Sequence, residues 1–232
     1  MKLSQIARRI ILLKEDGEEA GTVELLKTPI DKALQYIKSL GLNIPNLESN
    51  LEIAYEKFNL GKTKRHDMPV IDEKDVKDFQ MKLKNGLIDL KNPWSDRTDP
   101  SDPFPQGLDD KAATNFMSNG LRDQDKPDDK IDVQVNKIAV KNLIPIQRQV
   151  YLDKSIKSVV KFGVENSLKF LASTTLITSS DNRIIDGHHR FLSCLLLNPD
   201  LEVKCLVVDL PIKTLLPLAV AYGDAKGNER NA

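Results

Sequence analysis

The stretch Ile184-Ile185-Asp186-Gly187-His188-His189-Arg190 decides how this chain is read. Two β-branched residues suit the end of a strand. After an acid and a glycine comes a helix opening on His-His-Arg, continuing through residues 191–197, apolar but for Ser193, and stopped by Asn198-Pro199. The first-turn N–H groups of such a helix have no intrahelical partner. The aligned peptide dipoles add about half a positive charge there, which favours phosphate. Gly187 has no Cβ to keep an anion from the backbone. Arg190 can grip phosphate oxygens with its planar fork, and a histidine can donate to them or move a proton near neutral pH. Simpler readings stand beside this one. Asp is a preferred N-cap, so Asp186 can be only that. Neighbouring helix positions point about 100° apart, so His188 and His189 cannot face one ligand alike and one of them reads as structural. A metal site would need ligands from elsewhere, and the third histidine, His66, lies in the other half of the chain.

Outward from this stretch the pattern is α+β. A short strand is predicted at Lys137-Ile138-Ala139-Val140 and a helix over 153–162. Two strands, 174–178 and 183–185, flank the turn Ser179-Ser180-Asp181-Asn182. The helix 188–197 follows, then a buried strand over 202–208 and an amphipathic helix over 211–222. Residues 1–90 read as helices. Leu3, Ile6, Ala7, Ile10 and Leu13 recur at helical spacing, as do Ile30, Ala33, Leu34 and Ile37 behind Thr28-Pro29, an N-cap and N1 pair. Leu47, Leu51, Ala54, Tyr55 and Phe58 predict a third helix; Val76, Phe79 and Leu83 predict a fourth, capped by Asp72. These apolar stripes carry no chemistry and suit packing or the docking of a protein partner. Between the halves, residues 91–130 hold five of the twelve prolines and an excess of acid, 9 against 6 basic side chains. Such density of Pro and Asp breaks both regular structures, so an extended linker is expected, with one helical turn near 110–117 and with Trp94 and Phe104 pinning it to a neighbouring surface. The expected organisation is a helical region at 1–90, a linker at 91–130 and an α+β domain at 131–232.

Composition narrows the function classes. The chain has 232 residues, enough for a substantial core, and its 34 basic side chains balance 34 acidic ones. A broad footprint for nucleic acid is therefore absent, and any polyanion site must be local. Residues 131–232 carry 13 basic and 10 acidic groups, so DNA binding is expected to be weak. The longest aliphatic runs, such as Leu195-Leu196-Leu197, fall far short of the roughly 20 residues of a membrane helix. Arg8-Arg9 precedes too short an apolar run for a signal peptide, which points to the cytoplasm. Cys194 and Cys205, without partners for a zinc or Cys-x-x-Cys site, read as reduced core residues.

The run from Asp186 to Arg190, preceded by a hairpin and followed by an apolar helix, a turn and a strand, resembles the ParB/sulfiredoxin superfamily. Leu143-Ile144-Pro145-Ile146-Gln147-Arg148, then Asp153-Lys154-Ser155 and a helix, is similar to the opening of that domain. The resemblance covers about residues 131–232. Arg65-His66-Asp67-Met68-Pro69-Val70 and Ala221-Tyr222-Gly223-Asp224-Ala225-Lys226-Gly227-Asn228 are similar to uncharacterised ParB-like proteins of tailed bacteriophages, which would place the chain in a host cytoplasm.

The resemblance implies a ParB/sulfiredoxin-like fold and a nucleotide site. Sulfiredoxins carry a catalytic Cys in Gly-Cys-His-Arg, where this chain has Gly187-His188-His189-Arg190, so sulfinic-acid reduction is not expected. Phosphate contact by the family's His-Arg pair would fall to His189 and Arg190. ParB partition proteins bind CTP and add a helix-turn-helix domain, for which the 34 residues after Asn198 leave no room. Free-serine kinases of the superfamily have an Asp-Gly-His-x-Arg motif, matched at Asp186, Gly187, His188 and Arg190. They also use a carboxylate base upstream, near Gln147, and an amide cannot take a proton. Asp186 is then the remaining base, with His188 beside it. Lys154 and Lys157, three apart on one helix face, resemble the lysine with which sulfiredoxins approach the nucleotide; a solvated face is the alternative. Gln147 and Arg148 join the nucleotide-binding set, and Arg148 could equally meet DNA. The implied activity is binding of ATP or another NTP, with phosphoryl transfer to a small-molecule or protein acceptor, or hydrolysis. Mg²⁺, touched by Asp186, would bridge the phosphates. A nucleotide-switched or DNA-associated module without catalysis is the alternative. A nuclease ranks last, since no cluster of carboxylates for two metal ions is visible.

Overall fold

The computed structural model describes residues 22–88 and 130–228. The helix expected near Leu3, the linker over 91–129 with its helical turn, and the contacts of Trp94 and Phe104 lie outside the described residues. Seven α-helices are described: α1 (Ile30–Ser39), α2 (Leu47–Asn59), α3 (Val76–Lys84), α4 (Leu152–Phe162), α5 (Val164–Ser173), α6 (His188–Leu197) and α7 (Ile212–Ala225). The strands β1 (Val133–Ala139), β2 (Ile144–Pro145), β3 (Thr175–Ser179), β4 (Arg183–Asp186) and β5 (Glu202–Val208) form a mixed sheet in the order β1-β5-β3-β4-β2. The fold is mixed α/β, as the α+β expectation requires. No helix among the described residues is long and apolar enough to cross a membrane.

Packing divides the described chain into two units, each drawing on separate segments. The first comprises 22–62, 137–175 and 187–204; the second comprises 63–88, 130–136, 176–186 and 205–228. In the first unit α2 and α4 both lie against α6. The α2 stripe expected from Leu51, Ala54 and Phe58 is fully buried, and the Phe58 ring meets Phe191 of α6 at 5.8 Å between centroids. The Asn50 side chain reaches from α2 to donate to the Leu196 carbonyl at 2.9 Å. Lys57 Nζ donates to the Leu143 carbonyl at 2.8 Å, and burial lowers its pKa. The buried stripe of α2 packs within the unit. In the second unit the Phe79 and Tyr222 rings meet at 4.7 Å, and Tyr222 Oη donates to Asp78 Oδ2 at 2.7 Å. Burial, then the Asp78 hydrogen bond and charge, push the Tyr222 phenol up. Both cysteines are buried, and burial pushes the Cys205 thiol up to about 12.

Several boundaries depart from expectation for local reasons. Thr28 does not cap α1; its hydroxyl donates back to the Glu24 carbonyl at 2.7 Å and Pro29 takes the cap position. Asp72 does not cap α3; its carbonyl accepts from the Asp75 N–H at 2.8 Å, and Asp75 precedes the helix. Strand β1 starts four residues earlier than expected, using the alternation Val133-Gln134-Val135-Asn136, and Val140 begins a short 3₁₀ turn instead of extending it. Helix α5 was not expected. Its signals are Val164, Leu168 and Leu171 at helical spacing and a Glu165–Lys169 pair at 2.7 Å, masked in sequence by the preceding Gly163, whose φ of 81° ends α4 and starts α5.

Candidate functional site

The motif is built where β4 ends. Strands β3 and β4 pair antiparallel, Ile177 opposite Asp186 and Thr178 opposite Ile184, with an irregularity between. The turn joining them is closed by the Asn182 N–H to the Ser179 carbonyl at 3.1 Å, with Asn182 in the left-handed region at φ 57°. Asp186 closes β4, and Gly187, not Asp186, is the N-cap of α6. Its φ of 95° is left-handed backbone that a side chain would strain, so the glycine is required by the strand-to-helix turn itself. Having no side chain, it leaves the first-turn N–H groups of a ten-residue helix without a side-chain cap.

The two histidines face the same segment, although sequence spacing suggested they would diverge. His188 is 4% exposed, and its Nε2 accepts from the backbone N–H groups of Ile146 and Gln147, both at 3.2 Å. His189 Nε2 accepts from the backbone N–H of Tyr151 at 3.2 Å, and its ring lies parallel to the Tyr151 ring, 4° apart with centroids at 6.1 Å. An Nε2 that accepts from N–H groups carries no proton, so each neutral ring bears its hydrogen on Nδ1. About 100° apart in direction, the two rings reach the two ends of one six-residue loop, 146–151.

That loop is fixed on its other sides as well. The Lys62 N–H donates to the Ile146 carbonyl at 3.0 Å, the Leu25 N–H to the Val150 carbonyl at 2.9 Å, and the Leu152 N–H to the Val23 carbonyl at 2.8 Å. A Cβ on Gly61 would lie 2.9 Å from the Gln147 carbonyl oxygen and 3.0 Å from that of Ile146, so only glycine lets the chain pass this close. Residues 23–25, 61–62 and 188–189 thus converge on one stretch of backbone.

Of the other expected residues, Gln147 is buried, and its side-chain amide donates to the Gln149 carbonyl. Arg148 is exposed on the same loop. Arg190 Nη1 donates to the Thr175 carbonyl at 3.0 Å, fixing the guanidinium side of α6 to the chain entering β3. Lys154 and Lys157 are half-buried on α4, the helix packed on α6 through contacts such as Ser193 Oγ to the Ser155 carbonyl. The described residues hold no group of three or more His, Cys, Asp or Glu that could bind a metal ion by themselves.

Elsewhere, in the second unit, the segments around Val70 and Asn228 meet. Asn228 Nδ2 donates to the Val70 carbonyl at 2.9 Å and to Asp75 Oδ2 at 3.2 Å, while Lys226 lies 3.5 Å from Asp78. Residues 221–225 belong to α7. Sequence reasoning missed Gly61, Gln149 and Tyr151; the only signal for them is Gly61-Lys62 following a helix and the alternation Gln147-Arg148-Gln149. Compared with protein-family models, with curated proteins and with solved structures, the chain finds no match.

Proposed function

We propose that this chain binds the phosphates of a nucleoside triphosphate at the start of α6 and transfers or hydrolyses the terminal phosphoryl group, as a ParB/sulfiredoxin-like domain. The observation that carries the reading is Gly187, a left-handed N-cap without a side chain at the head of a ten-residue helix that directly follows a strand. Backbone donors and the helix dipole converge there on one point. Arg190, in the first turn, supplies the fixed positive charge, while Arg148 on the adjoining loop and Lys154 and Lys157 on α4 add local charge to a chain that is neutral overall. Mg²⁺ commonly reaches such sites with the nucleotide, held by one or two carboxylates, the phosphates and water. Asp186 fits that donor set, and the ion would neutralise charge on the phosphates. Asp186 is also the only acid inside the motif able to take a proton from an attacking hydroxyl.

Two substitutions test this. Arg190→Ala is expected to weaken ATP binding by about tenfold to a hundredfold in a folded protein, the scale of a charged hydrogen bond of about 1.5–3 kcal/mol. Equal affinity overturns the site. Asp186→Asn keeps size and removes basicity, and turnover should fall by about 10²-fold or more; turnover that survives removes Asp186 from the mechanism. A second reading, a nucleotide-switched or DNA-associated module, is favoured by Gln147: the residue nearest the expected upstream base is an amide already engaged with the Gln149 carbonyl. Binding of ATP, CTP or GTP with Mg²⁺ and no phosphate release from any of them would select it.

A further inference from the structure

We infer that His188 and His189 are positioning residues that latch the loop 146–151 through their Nε2 atoms, which are spent on the loop and not on phosphate; the inference rests on the reading above only where it concerns nucleotide. The geometry is specific. Two consecutive side chains at the head of α6 offer lone pairs, and three backbone N–H groups, of Ile146, Gln147 and Tyr151, donate to them at 3.2 Å. Each Nε2 is met by main-chain N–H groups of one loop, and the His188 ring is almost fully buried. Buried N–H groups left unpaired are costly, so the loop conformation depends on these acceptors. A phosphate ligand must donate a hydrogen to oxygen, and an accepting Nε2 has none to give, which leaves Nδ1 as the one ring atom that could. The loop carries exposed Arg148 next to buried Gln147, so the latch fixes the stretch of backbone that bears this charge.

The latch explains why both histidines are present. One ring cannot reach both 146–147 and 151, and the roughly 100° step between adjacent helix positions lets two rings grip the ends of the loop. Tyr151 supplies a flat ring for His189 to lie against, and Gln149 Nε2 in turn donates to Tyr151 Oη at 2.6 Å, tying the crest of the loop to the same anchor.

The test follows amide exchange in the peptide spanning 144–152, together with ATP–Mg²⁺ affinity, in the full chain. Glutamine places an accepting oxygen near the position of Nε2, whereas leucine offers no acceptor. His188→Leu and His189→Leu are each expected to raise exchange across 144–152 at least tenfold and to weaken ATP binding. His188→Gln and His189→Gln should restore both to within about threefold of the parent. If the leucine variants do not fold, the glutamine variants alone decide: exchange as slow as in the parent supports the latch. Fast loop exchange in the glutamine variants overturns it. So does slow loop exchange combined with a tenfold loss of ATP affinity in them, which would mark the rings as phosphate donors. If the parent binds no nucleotide, the proposed function fails, and loop exchange still decides the latch.

Discussion

Two connections flank the motif in sequence and are stabilised in opposite ways. The turn 179–183 is held mostly by its own neighbours: Ser179 Oγ donates to Asp181, Arg183 Nε donates to Asp181 Oδ2 at 2.9 Å, and the Asn182 N–H closes the turn. Two bonds come from further away, the Ser180 N–H to the Leu210 carbonyl at 3.0 Å and the Ile212 N–H to Asp181 Oδ1 at 3.2 Å. The loop 146–151 and the residue that follows it are held by residues 23–25, 61–62 and 188–189, up to 129 positions away in the chain between Val23 and Leu152 and 41 between Gln147 and His188. The first connection is a local structure that a few residues encode. The second exists only when the helices of its unit are packed, so its stability is coupled to theirs.

The largest expected effect of that coupling comes from α6 itself. Phe191→Ala removes a fully buried ring that seats α6 on Phe58, and a loss of about 3–5 kcal/mol in urea unfolding is expected. A loss under about 1 kcal/mol would mean that α6 does not depend on this packing, and the contrast between loop and turn would collapse.

Gly61→Ala comes next. The added methyl would meet main-chain atoms, which cannot swing aside as a side-chain tip can, at 2.9–3.0 Å. Shifting the loop or the end of α2 should cost about 1–3 kcal/mol, read as a lower urea midpoint with an unchanged slope. Amide exchange should rise in 144–152 and stay unchanged in 179–183. Equal stability would show that the loop yields easily and is not pinned.

The same contrast explains what the sequence could and could not tell. Helix α6 and strand β5 match their expected bounds to the residue, because Asn198-Pro199 stops one and alternating burial defines the other. The hairpin was legible for the same local reason. The α2 stripe was legible as a stripe, but its partner was not: nothing in Leu51, Ala54 and Phe58 says that they pack on a helix more than 130 residues later. At the motif, residue types located the strand-to-helix junction and the need for Gly187. The direction of the two imidazoles depended on where the chain around residue 146 passes, a tertiary fact invisible to periodicity. The cap of α6 was misplaced by one residue for a related reason: Asp is the better cap by preference, yet the turn out of β4 needs left-handed backbone, which glycine adopts more readily.

The smallest effect is expected in the turn, and it depends on pH. Partial burial pushes the Asp181 carboxyl up, but hydrogen bonds from Ser179, from Arg183 and from the backbone N–H groups of Asp181 and Ile212 outweigh it and hold the group below its ordinary value. A carboxylate depressed in the folded state stabilises above the unfolded value of about 3.9 and loses that contribution as the pH falls through the folded one. Asp181→Asn should therefore cost stability at pH 7, and the gap between parent and variant should close as the pH is lowered from about 5 towards 2. The side chain is 44% exposed, so solvent screens these bonds and the gap at pH 7 should stay under about 1 kcal/mol. Urea midpoints of both proteins across that range measure it. A gap that widens on acidification would reverse the sign of the Asp181 contribution. A gap of several kcal/mol would show that the turn, like the loop, is supported from outside, through the Ile212 N–H that donates to Asp181 Oδ1 at 3.2 Å from the head of α7.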